Sequence, residues 1–188
     1  MRLRGCLILV CSVAMLMATL HAQATPAIDE RLQQADQLRS ADPAKFKELL
    51  AALNDDHAGA TPPQLERLEF LNAYALAYGG DYAKGIQKAR ALVDGSTDPE
   101  MRFRAAALVV NSYAVTREFT EGLRYLVGML ELVDEIKDKE LRHTGLGVAA
   151  LIYNQVGQYE LGRHYAQMIL ADEPVARSRC YAGLLRTE

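Results

Sequence analysis

Residues 73–89 read AYALAYGGDYAKGIQKA, residues 110–126 read VNSYAVTREFTEGLRYL, and residues 150–166 read ALIYNQVGQYELGRHYA. The three stretches share one spaced pattern. A small or aliphatic residue is followed after three positions by Leu or Tyr, after six more by an aromatic, after three by Gly, and after four by Ala or Leu. The copies are Ala73, Leu76, Tyr82, Gly85, Ala89, then Val110, Tyr113, Phe119, Gly122, Leu126, then Ala150, Tyr153, Tyr159, Gly162, Ala166. Equivalent positions lie 37 and then 40 residues apart. That is the period of stacked helix pairs, each a unit that cannot bury its apolar face alone.

Outward from these copies, almost everything after residue 26 carries helical periodicity. Apolar residues recur at three and four, as in Leu65, Leu68, Leu71, Leu76 and in Leu123, Leu126, Leu130, Val133. No sustained alternation of period two occurs. Breaks carry helix-start chemistry, at Asp42-Pro43, at Thr61-Pro62 with Gln64, and at Thr97-Asp98-Pro99 with Glu100. An oxygen-bearing cap ahead of a first-turn Pro satisfies orphan amides and pre-sets φ. The reading is helices over 27–39, 42–54, 62–79, 82–94, 98–116, 118–135, 138–156, 158–171 and 174–188. It predicts an all-α, right-handed solenoid of antiparallel helix pairs, about four pairs plus a terminal helix. Residues 25–60 form an N-terminal capping pair and 61–174 the three repeats. Residues 175–188 are the first helix of a further repeat or a cap.

The recurring residues suit close helix packing. Gly85, Gly122 and Gly162 fall in the early turns of the second helix, where Gly costs about 1 kcal/mol against Ala unless a neighbouring helix needs the space. Tyr82, Phe119 and Tyr159 stand just after the turn, placed to plug the gap between one pair and the next.

Residues 1–24 have the layout of a secretory leader. Arg2 and Arg4 precede a 15-residue apolar stretch from Cys6 to Leu20, and Ala22-Gln23-Ala24 supplies a small-x-small cleavage pattern. An uncleaved anchor is the rival reading, but 15 residues fall short of the roughly 20 that span a bilayer. Cleavage is expected after Ala24, with the bacterial periplasm as destination and no membrane insertion afterwards. Loss of Arg2 and Arg4 takes the net charge from −3 to −5. That excess of acid argues against a nucleic-acid partner. Cys6 and Cys11 leave with the leader, so Cys180 remains alone and no internal disulfide is expected.

The residues do not assemble a reaction centre. Gly145-Leu146-Gly147-Val148-Ala149-Ala150 matches a dinucleotide fingerprint in letters, but lies within a helical stretch instead of between strand and helix. His57, His143 and His164 lack the spacing of a metal site, and Asp55-Asp56-His57 reads as a charged turn. Asp134, Glu135, Asp138 and Glu140 mix with Lys137 and Lys139 around an interhelix turn, a solvated loop. Neither a nucleophile elbow nor a phosphate-binding loop is present. The expectation is a non-catalytic chain without cofactor or metal.

The three copies resemble tetratricopeptide repeats over residues 62–174. Gly80-Asp81-Tyr82 and Gly157-Gln158-Tyr159 look like that family's Gly-x-Tyr turn, and Asp172-Glu173-Pro174 like its repeat-ending Pro. The family's Trp is absent, Arg117 replaces the turn Gly in the second copy, and Leu126 replaces a small residue. The resemblance implies that the first helix of each pair lines a concave face. Carried over, that face shows Arg67, Phe70, Tyr74 and Tyr78, then Arg104, Asn111 and Ala114, then Leu151, Asn154 and Gln155, with Phe70 and Leu151 read as packing. Arg, Tyr and Asn on a groove suit an extended peptide, including an acidic group. A narrower resemblance is to the periplasmic repeat region of membrane-bound GGDEF diguanylate cyclases, carried by the leader, Ala41-Asp42-Pro43-Ala44 and Tyr78-Gly79-Gly80-Asp81-Tyr82. The chain has neither a later membrane helix nor the Gly-Gly-Asp-Glu-Phe motif. Three expectations of function follow: a sensory or scaffold module holding a peptide or protein partner in its groove, the front portion of such a cyclase, or a structural solenoid self-associating through its last helix.

Overall fold

The computed structural model describes residues 27–186, and the leader read in residues 1–24 lies outside them. Nine α-helices and no strand occur among the described residues. They are α1 (Ile28–Ala41), α2 (Pro43–Asp55), α3 (Pro62–Tyr78), α4 (Tyr82–Gly95), α5 (Pro99–Thr116), α6 (Phe119–Glu131), α7 (Lys139–Gln155), α8 (Tyr159–Ala171) and α9 (Ala176–Arg186). A 3₁₀ turn at Val133–Glu135 follows α6.

Local chemistry sets the starts. The Asp42 carboxylate accepts from the Lys45 amide at 3.1 Å, Asp81 from Lys84 at 3.2 Å, and Asp138 from Glu140 at 2.9 Å. Thr61 donates its own amide to Gln64 Oε1 at 2.8 Å. At α5 the cap is Asp98, which accepts from Glu100, one residue later than the Thr97 spacing predicts. Proline 174 is buried ahead of α9, which begins two residues beyond the predicted start. The sixth helix stops at Glu131 instead of 135, because the chain turns to put Ile136 into the core at 1 % exposure. Apolar periodicity runs straight through that break, and the burial of one large residue overrides it.

Each helix packs on a neighbour in sequence, and α5 also packs on α7, α1 on α3 and α7 on α9. Helix α5 joins the two main cores. One core runs from Leu32 through Phe46, Leu71 and Ala89 to Val109, and the other from Phe103 through Leu126 and Met129 to Ile152. Eleven of the 18 residues of α5 are buried, against two of 11 in α9, so order is densest at the centre and thin at the C-terminal end.

Close approach of helices depends on glycine. A Cβ on Gly85 would lie 2.8 Å from the Ala77 amide nitrogen and 3.0 Å from the Ala73 carbonyl. On Gly122 it would meet the Ile152 side chain, and on Gly162 it would overlap the Asn154 amide. The Gly145–Ala150 stretch is buried inside α7, where a Cβ on Gly145 would overlap the Phe103 ring of α5. Ala73, Ala89, Leu126, Ala150 and Ala166 are wholly buried, Tyr113 nearly so, and Leu76 and Tyr153 half-buried. Tyr82 and Phe119 pack on the two cores, but Tyr159 is 51 % exposed and plugs nothing.

Candidate binding site: three arginines around Asp36

Three helices of different sequence position meet at one carboxylate. Asp36, in the middle of α1, is only 13 % exposed at its side chain. Arg67 of α3 donates from Nε and Nη2 to Asp36 Oδ2 at 3.1 and 2.8 Å. Arg104 of α5 donates from Nη1 to both oxygens at 3.2 Å. Arg39, one turn along α1, places Nε 3.2 Å from Oδ1. Three guanidiniums against one carboxylate leave the cluster at +2 in a chain of net charge −3.

Aromatic rings carry two of these charges. Arg39 Cζ stands 4.7 Å from the Tyr74 ring centroid and 5.8 Å from that of Phe70, and Arg104 Cζ stands 5.5 Å from Phe70. A guanidinium over a ring face is worth about 0.5–2 kcal/mol, more as water is excluded. Tyr74 is fixed in turn by Phe46, edge to face at 5.9 Å. Its outer neighbour Tyr78 stacks on it at 4.1 Å and leaves 63 % of its surface exposed. Burial pushes the Tyr74 hydroxyl above its ordinary pKa, with the Tyr78 hydroxyl adding to the shift. Tyr181 of α9 is raised for the same leading reason, with a further contribution from Tyr78.

Of the seven polar and tyrosine residues read onto the groove from sequence, Arg67, Tyr74, Tyr78 and Arg104 come together here. Asn111 is half-buried two turns beyond Arg104 and Gln155 is exposed at the end of α7, and neither touches the cluster. Asn154 needs correcting. Its side chain is buried against Gly162 and its amide donates to the Leu185 carbonyl at 2.9 Å, so it holds α9 instead of facing a ligand. Ala114 is also buried. Phe70 is buried as a packing residue, yet its ring face supports two guanidiniums. Sequence reading missed Asp36 and Arg39. Their only local signal is an acid and a base three apart on α1, and the partners stand 31 and 68 residues away.

A second ionic hub is structural. Asp172, at the end of α8, takes Lys139, Arg142 and His143 from the first turn of α7. The Arg142 guanidinium, then His143 and Lys139, hold its carboxyl well below the usual carboxylate range. A shallow recess of about 570 Å³ lies elsewhere, along Ala83, Gln87, Arg90 and Asp94 of α4, with Arg90 over the Tyr125 ring at 5.4 Å. Among the described residues no group of three His, Cys, Asp or Glu could hold a metal ion, and no helix is long and apolar enough to cross a membrane. No family model, curated protein or solved structure matches this chain.

Proposed function

We propose that the chain is an exported, tetratricopeptide-like solenoid of right-handed, antiparallel helix pairs. Its task is to hold an acidic segment of a peptide or protein partner against α1, α3 and α5, as a sensory or scaffold part of a signalling system. One observation carries this reading: three partly exposed guanidiniums converge on a single carboxylate beside an exposed, stacked tyrosine. Asp36 satisfies part of their donor capacity and fixes their positions. The remaining N–H groups, those of Arg39 and Arg104 held over ring faces, are pre-organised for a second carboxylate, and a charge-assisted hydrogen bond contributes about 1.5–3 kcal/mol where water is partly excluded. Tyr78 adds a rigid amphipathic surface for the peptide beside that anchor. The leader pattern of residues 1–24 supports export.

The test is fluorescence anisotropy with paired peptides of one length that carry Glu or Gln at a central position. The Glu series should bind at least about tenfold more tightly, a difference of 1.4 kcal/mol, and weaken with added salt. Arg104→Gln should remove the preference while leaving the far-UV circular dichroism unchanged. Equal binding of the Glu and Gln series would defeat this proposal.

A further inference from the structure

Helix α9 is lightly held, and its joint is strained. Of its residues only Ala182 and Leu185 are buried, in small clusters with Leu146 and Ile169 and with Ala150 and Ala166. Further contacts hold the seat. Asn154 donates to the Leu185 carbonyl, the Tyr181 ring lies over Gly147 where a Cβ would come within 2.7 Å, and Arg177 reaches Ser40 of α1 at 3.4 Å. The joint from α8 to α9 passes through Glu173 at φ 47, immediately before Pro174. A residue with a Cβ is strained at positive φ, and a residue before proline is pushed towards extended backbone. Folding α9 back onto its own α7 and α8 therefore demands a disfavoured backbone at one position.

We propose that Glu173-Pro174 is the hinge of a helix exchange in which two copies of this chain trade α9. The occupant that fits the seat is a second copy of the same helix, since the gap over Gly147, the Asn154 amide and the pockets for Ala182 and Leu185 match this sequence in either copy. Exchange remakes the described contacts of α9 with α1, α7 and α8 and releases Glu173 to the extended φ that a residue before proline prefers. The new costs are those of association, and strain in a short hinge is the usual driving force of such swaps. With the joint extended at about 3.3–3.6 Å per residue, the three residues 173–175 carry α9 roughly 10 Å from Asp172, which stays with Lys139, Arg142 and His143.

The full chain, purified in the form that cells deliver, is weighed by light scattering over about 1–500 μM, because a dimer must depend on protomer concentration. The expected result is a concentration-dependent dimer. Glu173→Gly tolerates positive φ, so it favours the closed monomer. Each dimer relaxes two hinges, and a tenfold effect per hinge appears as about a hundredfold rise in the dimer dissociation constant. Glu173→Gln keeps the Cβ and the strain and should leave the constant within about threefold of the original. Glu173→Val, with a branched Cβ at positive φ, should tighten the dimer. A monomer at all concentrations for both the original chain and Glu173→Val would overturn the exchange. So would a dimer indifferent to Glu173→Gly, or one that Glu173→Gln weakens as much as Gly does.

Discussion

One substitution, Gly to Ala, should have opposite signs at two helical positions of this molecule. At Gly85 the added methyl meets the Ala77 amide nitrogen at 2.8 Å, its Cβ at 2.9 Å and the Ala73 carbonyl at 3.0 Å. Two of the three neighbours are backbone, so no rotamer change can clear them. Ordinary contact needs about 3.5–4.0 Å between carbon atoms, so α4 must back away from α3 by roughly 0.5–1 Å, enough to forfeit a quarter to a half of each facing contact. Those contacts involve Leu71, Ala73, Ala77, Ile86 and Ala89, all in one core. Overpacking of this kind costs about 2–3 kcal/mol, and the better helix propensity of Ala returns about 1. The net for Gly85→Ala is a loss of about 1–2 kcal/mol. At Gly128, exposed in α6 with nothing within 4 Å of the added methyl, only the propensity acts, and Gly128→Ala should gain about 1 kcal/mol. Urea titration followed at 222 nm reads both values. In thermal melts each kcal/mol corresponds to about 2–4 °C for a chain of this size. Gly85→Ala equal to or more stable than the parent would refute the packing assigned to the recurring glycine, and a loss at Gly128 would refute the assumption that α6 is open there.

Arg117, the C-cap of α5, sits at φ 62, while Gly80 and Gly157 occupy comparable joints at φ 96 and 79. Arg117→Gly should therefore stabilise by about 0.5–1 kcal/mol in the same titration, and a loss would mean that the arginine side chain makes up for its backbone. Acid should loosen the junction of α7 with α8. The Asp172 carboxyl is depressed in the fold, so its contribution is present above the unfolded carboxylate pKa of about 3.9 and is lost as pH falls below it. Asp172→Asn should lower stability at pH 7 and flatten the acid limb below about pH 4, whereas an unchanged limb would remove Asp172 from the account.

How far the sequence discloses this molecule depends on the range of the forces involved. Helix starts at Asp42, Asp81 and Asp138 are legible because a cap and its amide lie within three residues of each other. The spacing of Gly85, Gly122 and Gly162 is equally plain, but what each touches is not, since one faces backbone, one an isoleucine and one an asparagine. Asn154 looks outward by its polarity, and only the hole left by Gly162 eight residues later explains its burial. Tyr159 shares the spacing of Tyr82 and Phe119, yet no core reaches it. Asp36 was hardest to foresee, because α1 carries none of the recurring residues and the ion pairs that define the site join positions 31 and 68 apart.

The Asp36 cluster also divides the molecule mechanically. In an array where each helix rests mainly on its neighbours, the ends fray independently. Here one carboxylate rivets the first helix to the third and the fifth, so α1 cannot lift away without breaking ties to two others. At the C-terminal end of the chain α9 has two buried apolar residues and a few polar contacts, one of them from Arg177 to Ser40 of α1. Stretched or warmed, such a chain peels from its C-terminal end while its N-terminal end stays clamped. Because the clamp is ionic and partly wet, dissolved salt sets how unequal the two ends are.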